Sequence, residues 1–551
     1  MAIFEERTPR KCTAFLFLFA VFVLSWPLWH LGEREMFWHE GKYACVSGES
    51  TNSFPPLMTA HGQMEPGVYP LYPLLVNGLT RCGLPIELSL RAITVFSLFL
   101  LTLIVYFACC RAGGIQAGLA GATVMFTTLL TAEKAMEGYP QMLTALILYG
   151  GWMLWFELAL VRNRWDLAWL IAGVFGSLAF YAAGYPGLIS FLLPLALQQR
   201  PLNVWTKLRH PGLPIAIGMV VFTILFYYAP QWDQQMPSGG NLPGIKNWME
   251  HVLMFPVTLV FRFLPWSLLL WAPFCAALIP LDQNPLFGKY LRVLFYVMLC
   301  LLWLNVNSSA RDLLYIAPLI ATMIGANYWI LVRRYGYLFL SVCRIFGWLL
   351  LVLAGISVCI YHYPATLEFP DKFFGGTYMF CRLPVTVFYV EIGLAVLAIL
   401  WGLWRCRYRP RVWQVYASLF CGMMLLYWTM VNPYRASMEE KRDFGNKLQE
   451  VLTKDKDFAE HSDAFLYKDS AISGLFAECY YMDLKVQTMA ATENFAEQGE
   501  FVYVLSPGVP PAAERFWTRL YDTVYKDKHL YLYKGQLRKD DYDYDEEYGD
   551  D

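Results

Sequence analysis

The chain has 551 residues, 57% of them hydrophobic and 17% aromatic, and only 16% are charged. Soluble domains carry roughly 25% charge, so the composition and a mean hydropathy of +0.38 exclude an ordinary soluble enzyme. A formal net charge of −1 offers no basic footprint for nucleic acid.

In chain order, Arg7, Arg10 and Lys11 precede an apolar run over 13–31. No small-residue cleavage site closes that run, so it predicts an uncleaved first helix with the N-terminus inside. A polar loop over 32–87 follows. Further helices are predicted at about 88–110, 116–132, 140–160, 166–182, 184–199, 213–229, 256–280, 289–306, 311–332, 337–361, 384–404 and 411–430. These make about thirteen apolar stretches, each near the length that crosses a bilayer. A lipid-facing backbone must satisfy its own hydrogen bonds, which is why such stretches become helices. The expected fold class is an all-α polytopic membrane protein with a small α/β domain outside the membrane.

The loops alternate in charge. Arg111, Arg162–Arg164, Arg200–His210, Lys289–Arg292, Arg333–Arg334 and Arg405–Arg411 fall on the side of the N-terminus, which is therefore cytoplasmic. The other side receives 32–84, 132–139, 231–255, 306–311, 361–382 and everything after Met430. The expected division is a membrane domain over 1–431, a soluble domain over 432–536 and an acidic, disordered tail over 537–551. The thirteen cysteines show no CxxC pair, hence no zinc-ribbon or redox pattern. Cys45 and Cys82 share the first outer loop, where an oxidising compartment would let them pair.

Four polar clusters fall on the predicted outer face. The first is Phe37-Trp38-His39-Glu40-Gly41-Lys42-Tyr43-Ala44, and the second is His61-Gly62-Gln63-Met64-Glu65-Pro66. The third is Glu250-His251, just before a helix carrying Arg262 and Pro265-Trp266. The fourth is Ser308-Ser309-Ala310-Arg311-Asp312, with Tyr315 and Pro318 beyond it. Taken singly, each reads as the solvated flank of a helix, and His61 alone is seldom a ligand. Their shared face is what sets them apart.

In order and spacing these clusters resemble the lipid-linked-sugar transferases of the GT-C superfamily, such as the aminoarabinose transferase that modifies lipid A and the protein mannosyltransferases. The family's Asp-Glu-x-Arg-Tyr-Ala motif has its counterpart in His39-Glu40-Gly41-Lys42-Tyr43-Ala44. Its Phe-Glu-Lys-Pro segment has Met64-Glu65-Pro66, its Glu-His pair has Glu250-His251, and its basic residue before Tyr-x-x-Pro has Arg311, Tyr315 and Pro318. Several positions depart: His39 stands at the leading aspartate, the lysine between Glu65 and Pro66 is missing, and Ala183-Gly184 stands at a Lys-Gly. The acidic residue before proline in the second outer loop falls at Tyr139-Pro140, with Glu137 nearby.

The resemblance implies transfer of a sugar from a polyprenyl-phosphate donor to an extracytoplasmic acceptor, whether lipid A, a glycan or a protein. It also implies a place in a bacterial inner membrane. A departing phosphate needs positive charge more than a strong acid. Arg311 and Lys42, with Tyr315 and Arg262, are the expected phosphate-binding groups. Glu40, His39 and Glu137 are the expected groups for the acceptor hydroxyl. Glu65 and His251 are the expected metal pair, and the resemblance implies zinc. The alternatives are a non-catalytic protein that binds lipid-linked glycan and a transporter. Few charges sit mid-helix, which disfavours the transporter.

Overall fold

The computed structural model describes residues 35–537 apart from 51–56, 66, 199–203, 230–244, 283, 364–366, 370–375, 379–383, 409–410, 437–439, 461–465, 471, 473, 483, 490–500, 511–514 and 526–527. The expected first helix over 13–31 and the tail beyond Leu537 lie outside these residues. The chain divides into two compact units. One takes Met1–Arg34 with Gly67–Met438, and the other takes Glu35–Pro66 with Glu439–Asp551. The expected outer loop over 32–87 is thus shared between them.

The first unit is helical. Among the described residues, six of its helices are long and apolar enough to cross a membrane, and a bent pair makes a seventh candidate. The protein is an integral membrane protein. Two long elements are each a pair of helices joined at a backbone break. Ile86–Thr127 breaks at Gly113-Gly114, and Trp165–Ala196 breaks at Ala183-Gly184. Gly184 has φ +65°, and a Cβ there would lie 2.1 Å from the ring of Tyr69, so both conformation and space demand glycine.

Four expected helices are redrawn. The predicted 256–280 helix instead begins at Ile245, so Glu250 and His251 lie inside it, and it stops at Arg262. Pro265, Pro273 and Pro280 then hold the chain in short 3-10 turns through Leu281, because each lacks the N–H that a helix needs. The axis turns by 100° at this break. The predicted 116–132 helix ends at Thr127, and a separate short helix, Leu129–Lys134, follows. The predicted pair 311–332 and 337–361 becomes a turn at Asp312–Tyr315, a helix Ala317–Ala326 and one 35-residue helix Tyr328–His362. Arg333-Arg334 therefore lies within a helix. Only Gly336 weakens the segment, at about 1 kcal/mol, and no proline stops it.

The second unit is α/β. Five strands run in the order Val486–Met489, Leu466–Asp469, Phe501–Ser506, Lys528–Leu537 and Arg515–Tyr525. The first three are mutually parallel and the last two join antiparallel. Helix Glu440–Lys454 lays Phe444, Leu448 and Leu452 on one face of this sheet, against Leu466, Leu505 and Leu532. That spacing of four is one stripe of a helix.

The first-loop segment belongs to the same core. Its helix Trp38–Glu49 packs on Phe476–Tyr481 so closely that a Cβ on Gly41 would lie 2.4 Å from the Ala477 nitrogen. Glu35 accepts the Arg442 N–H at 2.7 Å and so caps the start of Glu440–Lys454. Burial raises the Glu35 carboxyl above its ordinary range, against the lowering pull of the Arg442 and Lys441 N–H groups and charges. The Lys441 ammonium donates to the Met36 carbonyl at 2.6 Å.

Candidate functional site

In the helical unit, the site begins where two helices stop. Thr127 and Thr128 turn their hydroxyls back onto the Thr123 and Val124 carbonyls, at 2.6 Å each. These are back-bonds to carbonyls four residues earlier, which turn both hydroxyls onto the end of the helix. The chain restarts as Leu129–Lys134, and the Leu129 N–H donates to the Leu264 carbonyl at 3.0 Å. The Trp266 indole N–H donates to the Thr127 hydroxyl at 3.0 Å. The break after Thr127 and the break at Pro265 are therefore latched together.

This latch carries Glu133 and Lys134 to the end of the Ile245–Arg262 helix. Arg262 bonds to Glu133 Oε2. Lys134 Nζ lies 2.9 Å from Glu133 Oε1 and 3.1 Å from Glu137 Oε1. Arg311 Nε lies 3.7 Å from Glu137 Oε2. The five groups form one chain of alternating charge, Arg262–Glu133–Lys134–Glu137–Arg311, with one surplus positive charge. Its middle is buried, with side chains 5–12% exposed, and its ends reach solvent, Arg262 at 22% and Arg311 at 26%.

Tyr139 fixes the outer end. Its backbone is extended, as the residue before Pro140 must be, and Pro140 opens the helix Pro140–Phe156. The Arg311 guanidinium stacks 3.8 Å above the Tyr139 ring. Arg311 itself sits in a turn that Asp312 ties by accepting the Ser309 N–H at 2.7 Å. Among the described residues, the terminal nitrogens of Arg311 make no hydrogen bond. Its contacts are the Glu137 carboxylate through Nε and the Tyr139 face. A partly exposed guanidinium whose terminal nitrogens are not engaged can hold an oxyanion with two hydrogen bonds. Tyr315 is half-buried one turn further on.

His251 sits in the same unit, half-buried, with Nε2 3.5 Å from both the Leu302 carbonyl and the Ser308 hydroxyl. The remaining expected residues belong to the α/β unit. His39 is exposed. Glu40 is fully buried at the third position of its helix, where its carboxylate accepts the Phe37 N–H at 2.9 Å. Lys42 Nζ pairs with Glu65 Oε2 at 2.6 Å, both side chains about one-fifth exposed (23% and 19%).

His61 forms the two-residue turn of a small hairpin with Gly62, at φ 54° and 75°. Positive φ at both positions is the mark of a primed turn. The ring is buried, stacked on Phe476 at 5.3 Å, with Nδ1 3.3 Å from Lys468 Nζ. Burial, with help from the Lys468 charge, pushes its pKa down to about 3. Cys45 lies 3.5 Å from the other ring nitrogen. Cys45 and Cys82 are both free thiols, so the pairing entertained from sequence does not occur here. Cys45 is buried against the Phe476 carbonyl, which raises its pKa and leaves it inert, whereas Cys82 is exposed.

Sequence reasoning missed Glu133 and Lys134. The signal was available: Glu133-Lys134-Ala-Met-Glu137 sets acid, base and acid at i, i+1 and i+4 in a segment placed outside the membrane. Among the described residues, no group of three or more His, Cys, Asp and Glu gathers as a metal site would.

No protein-family model matches the sequence, and no curated protein matches it. Solved structures do match the fold, among them two of ArnT from Cupriavidus metallidurans. The one bound to undecaprenyl phosphate is 14% identical with a TM-score of 0.64, and the apo one is 15% identical with a TM-score of 0.65. Each comparison covers 95% of this chain and 98% of the other. At that identity the likeness is one of fold, and over nearly its whole length this chain has the fold of ArnT.

Proposed function

We propose that the protein is a membrane glycosyltransferase that moves a sugar from a polyprenyl-phosphate donor to an extracytoplasmic acceptor. The observation that carries this reading is the Arg311 fork, stacked on Tyr139 and partly exposed at 26%. Lys134 and Arg262 stand behind it. The ArnT structure of the same fold is bound to undecaprenyl phosphate, and a departing lipid phosphate is the anion such a fork would stabilise. Lys42 and Tyr315 are further phosphate-binding groups in this reading. Glu40 or His39 orients the acceptor hydroxyl, with Glu137 as the alternative base. The membrane is a bacterial inner membrane, with the N-terminus cytoplasmic and the α/β unit outside.

Zinc at Glu65 and His251 belongs to the same proposal. Glu65 and His251 belong to different units of the chain; Glu65 Oε2 pairs with Lys42, and His251 Nε2 lies 3.5 Å from the Leu302 carbonyl. Bound there, zinc would draw negative charge off the phosphate. Two protein donors make a weak set, and elemental analysis of the purified protein beside His251→Ala tests it.

The decisive experiment is transfer in reconstituted membranes from a polyprenyl-phosphate sugar, with mass spectrometry of envelope lipids and glycoproteins from cells with and without the gene. One observation favours a second reading, a non-catalytic binder of lipid-linked glycan. Glu40 is buried and spends an oxygen on the Phe37 N–H. Donor binding without transfer would select that reading.

A further inference from the structure

We propose that Glu137 is the resident counter-anion of Arg311, and that a lipid phosphate entering the site displaces it onto Lys134. This rests on the reading of the site as one for a phosphate-bearing lipid. The distances are unequal. Glu137 Oε1 is within hydrogen-bonding reach of Lys134 at 3.1 Å, whereas its Oε2 stands 3.7 Å from Arg311 Nε, an ion pair without a hydrogen bond. Glu137 therefore neutralises Arg311 without occupying its fork.

Carboxylate and phosphate are the same kind of ligand to a guanidinium. Two anions on one cation repel, so phosphate on the Nη face and Glu137 against Nε are in competition. Burial sets the direction of exchange: the Glu137 side chain is 5% exposed and that of Arg311 is 26% exposed. The incoming anion arrives from the open side, and the carboxylate retreats inward. Lys134 is what it retreats to, itself anchored on Glu133, which Arg262 holds from the far side. Lys134 is thus a positioning residue. It touches no ligand, and it governs how much of Glu137's charge Arg311 feels.

Two substitutions then act in opposite directions, which a purely structural role would not produce. Glu137→Gln removes the competitor with little change in shape. Lys134→Met removes the ammonium that Glu137 Oε1 accepts from at 3.1 Å, and shifts the balance of the carboxylate towards Arg311. The probe is undecaprenyl phosphate, bound to the full-length protein in detergent, with undecaprenol as the uncharged control. Glu137→Gln should bind the phosphate lipid about fivefold tighter and Lys134→Met about fivefold weaker, the scale of one charge beside a partly exposed cation. The double variant should return to wild-type affinity or better, and undecaprenol should bind all four proteins alike.

Weaker binding in Glu137→Gln overturns the proposal even if Lys134→Met fails to fold. Equal affinity of wild type and Arg311→Ala for the phosphate lipid over undecaprenol is a different failure, because it removes the phosphate site itself. Millimolar inorganic phosphate should not displace the lipid; displacement would assign the exchange to free phosphate and overturn the lipid as its trigger.

Discussion

His61→Asn should flatten the acid sensitivity of the α/β unit. The imidazole is held neutral by burial and by Lys468, with its pKa near 3, whereas in the unfolded chain it titrates near 6.5. Above 6.5 neither state carries the proton. As the pH falls from 6.5 towards 3 the unfolded state alone takes it up, so stability is present at neutral pH and lost on acidification. Between pH 7.5 and 5.5 that loss is about 1.4 kcal/mol, a tenfold rise in the open population. The ring is 3% exposed, so solvent screening removes little of this. Asn suits the test because it tolerates the positive φ of 54° at this position and keeps an Asn-Gly primed turn. The assay is hydrogen exchange of the full-length protein in detergent, corrected for intrinsic rates, at the Thr488 amide. That amide donates to the His61 carbonyl at 2.9 Å. Wild type should lose about 1.4 kcal/mol more protection between the two pH values than His61→Asn does. Equal losses in the two proteins would show that His61 protonates within the fold, and the reasoning from burial would fail.

Arg311→Ala should weaken undecaprenyl phosphate binding at least tenfold, about 1.4 kcal/mol, and Arg311→Lys should recover only part, because an ammonium lacks the planar fork; equal Kd values across the three proteins would leave Arg311 a snorkelling helix end. Glu40→Gln should lower transfer about a hundredfold or more while leaving Tm nearly unchanged, since the amide oxygen still accepts the Phe37 N–H; wild-type turnover would move attention to His39 and Glu137. Reporter fusions at Arg407 and Leu452 should report opposite sides of the membrane, the first cytoplasmic; the same side for both would refute the charge assignment.

How much of this was legible in the sequence differed with the physics involved. Hydrophobic length and loop charge are local, so the membrane helices and the separate C-terminal α/β region could be read directly. The breaks were harder. Pro265 carried the signal for one, although the predicted 256–280 helix ran through it, whereas Thr127-Thr128 and Asn327 carried none, because a threonine pair or an asparagine also occurs inside helices. The site shows the same division. Arg262, Arg311 and Glu137 were named from motif order. Lys134 and Glu133 acquire meaning only once the Trp266–Thr127 latch carries them to Arg262, a contact spanning more than a hundred residues of sequence. The sharing of Glu35–Pro66 with the C-terminal domain was illegible for the same reason, since a glycine at 41 does not announce that Ala477 rests on it.

That sharing bears on how the protein is made. The segment ending at Pro66 cannot complete its fold until residues from Glu439 onward have been synthesised. At about 5–20 residues per second, ribosomal synthesis of the intervening chain takes on the order of 20 to 75 seconds. Through that interval Ala44, Cys45 and Val46, all buried in the finished protein, have no partner of their own to cover them. A nascent chain stalled or truncated before Glu439 would present this strip to proteases and chaperones, which makes completion of the C-terminal part a checkpoint on the segment ending at Pro66.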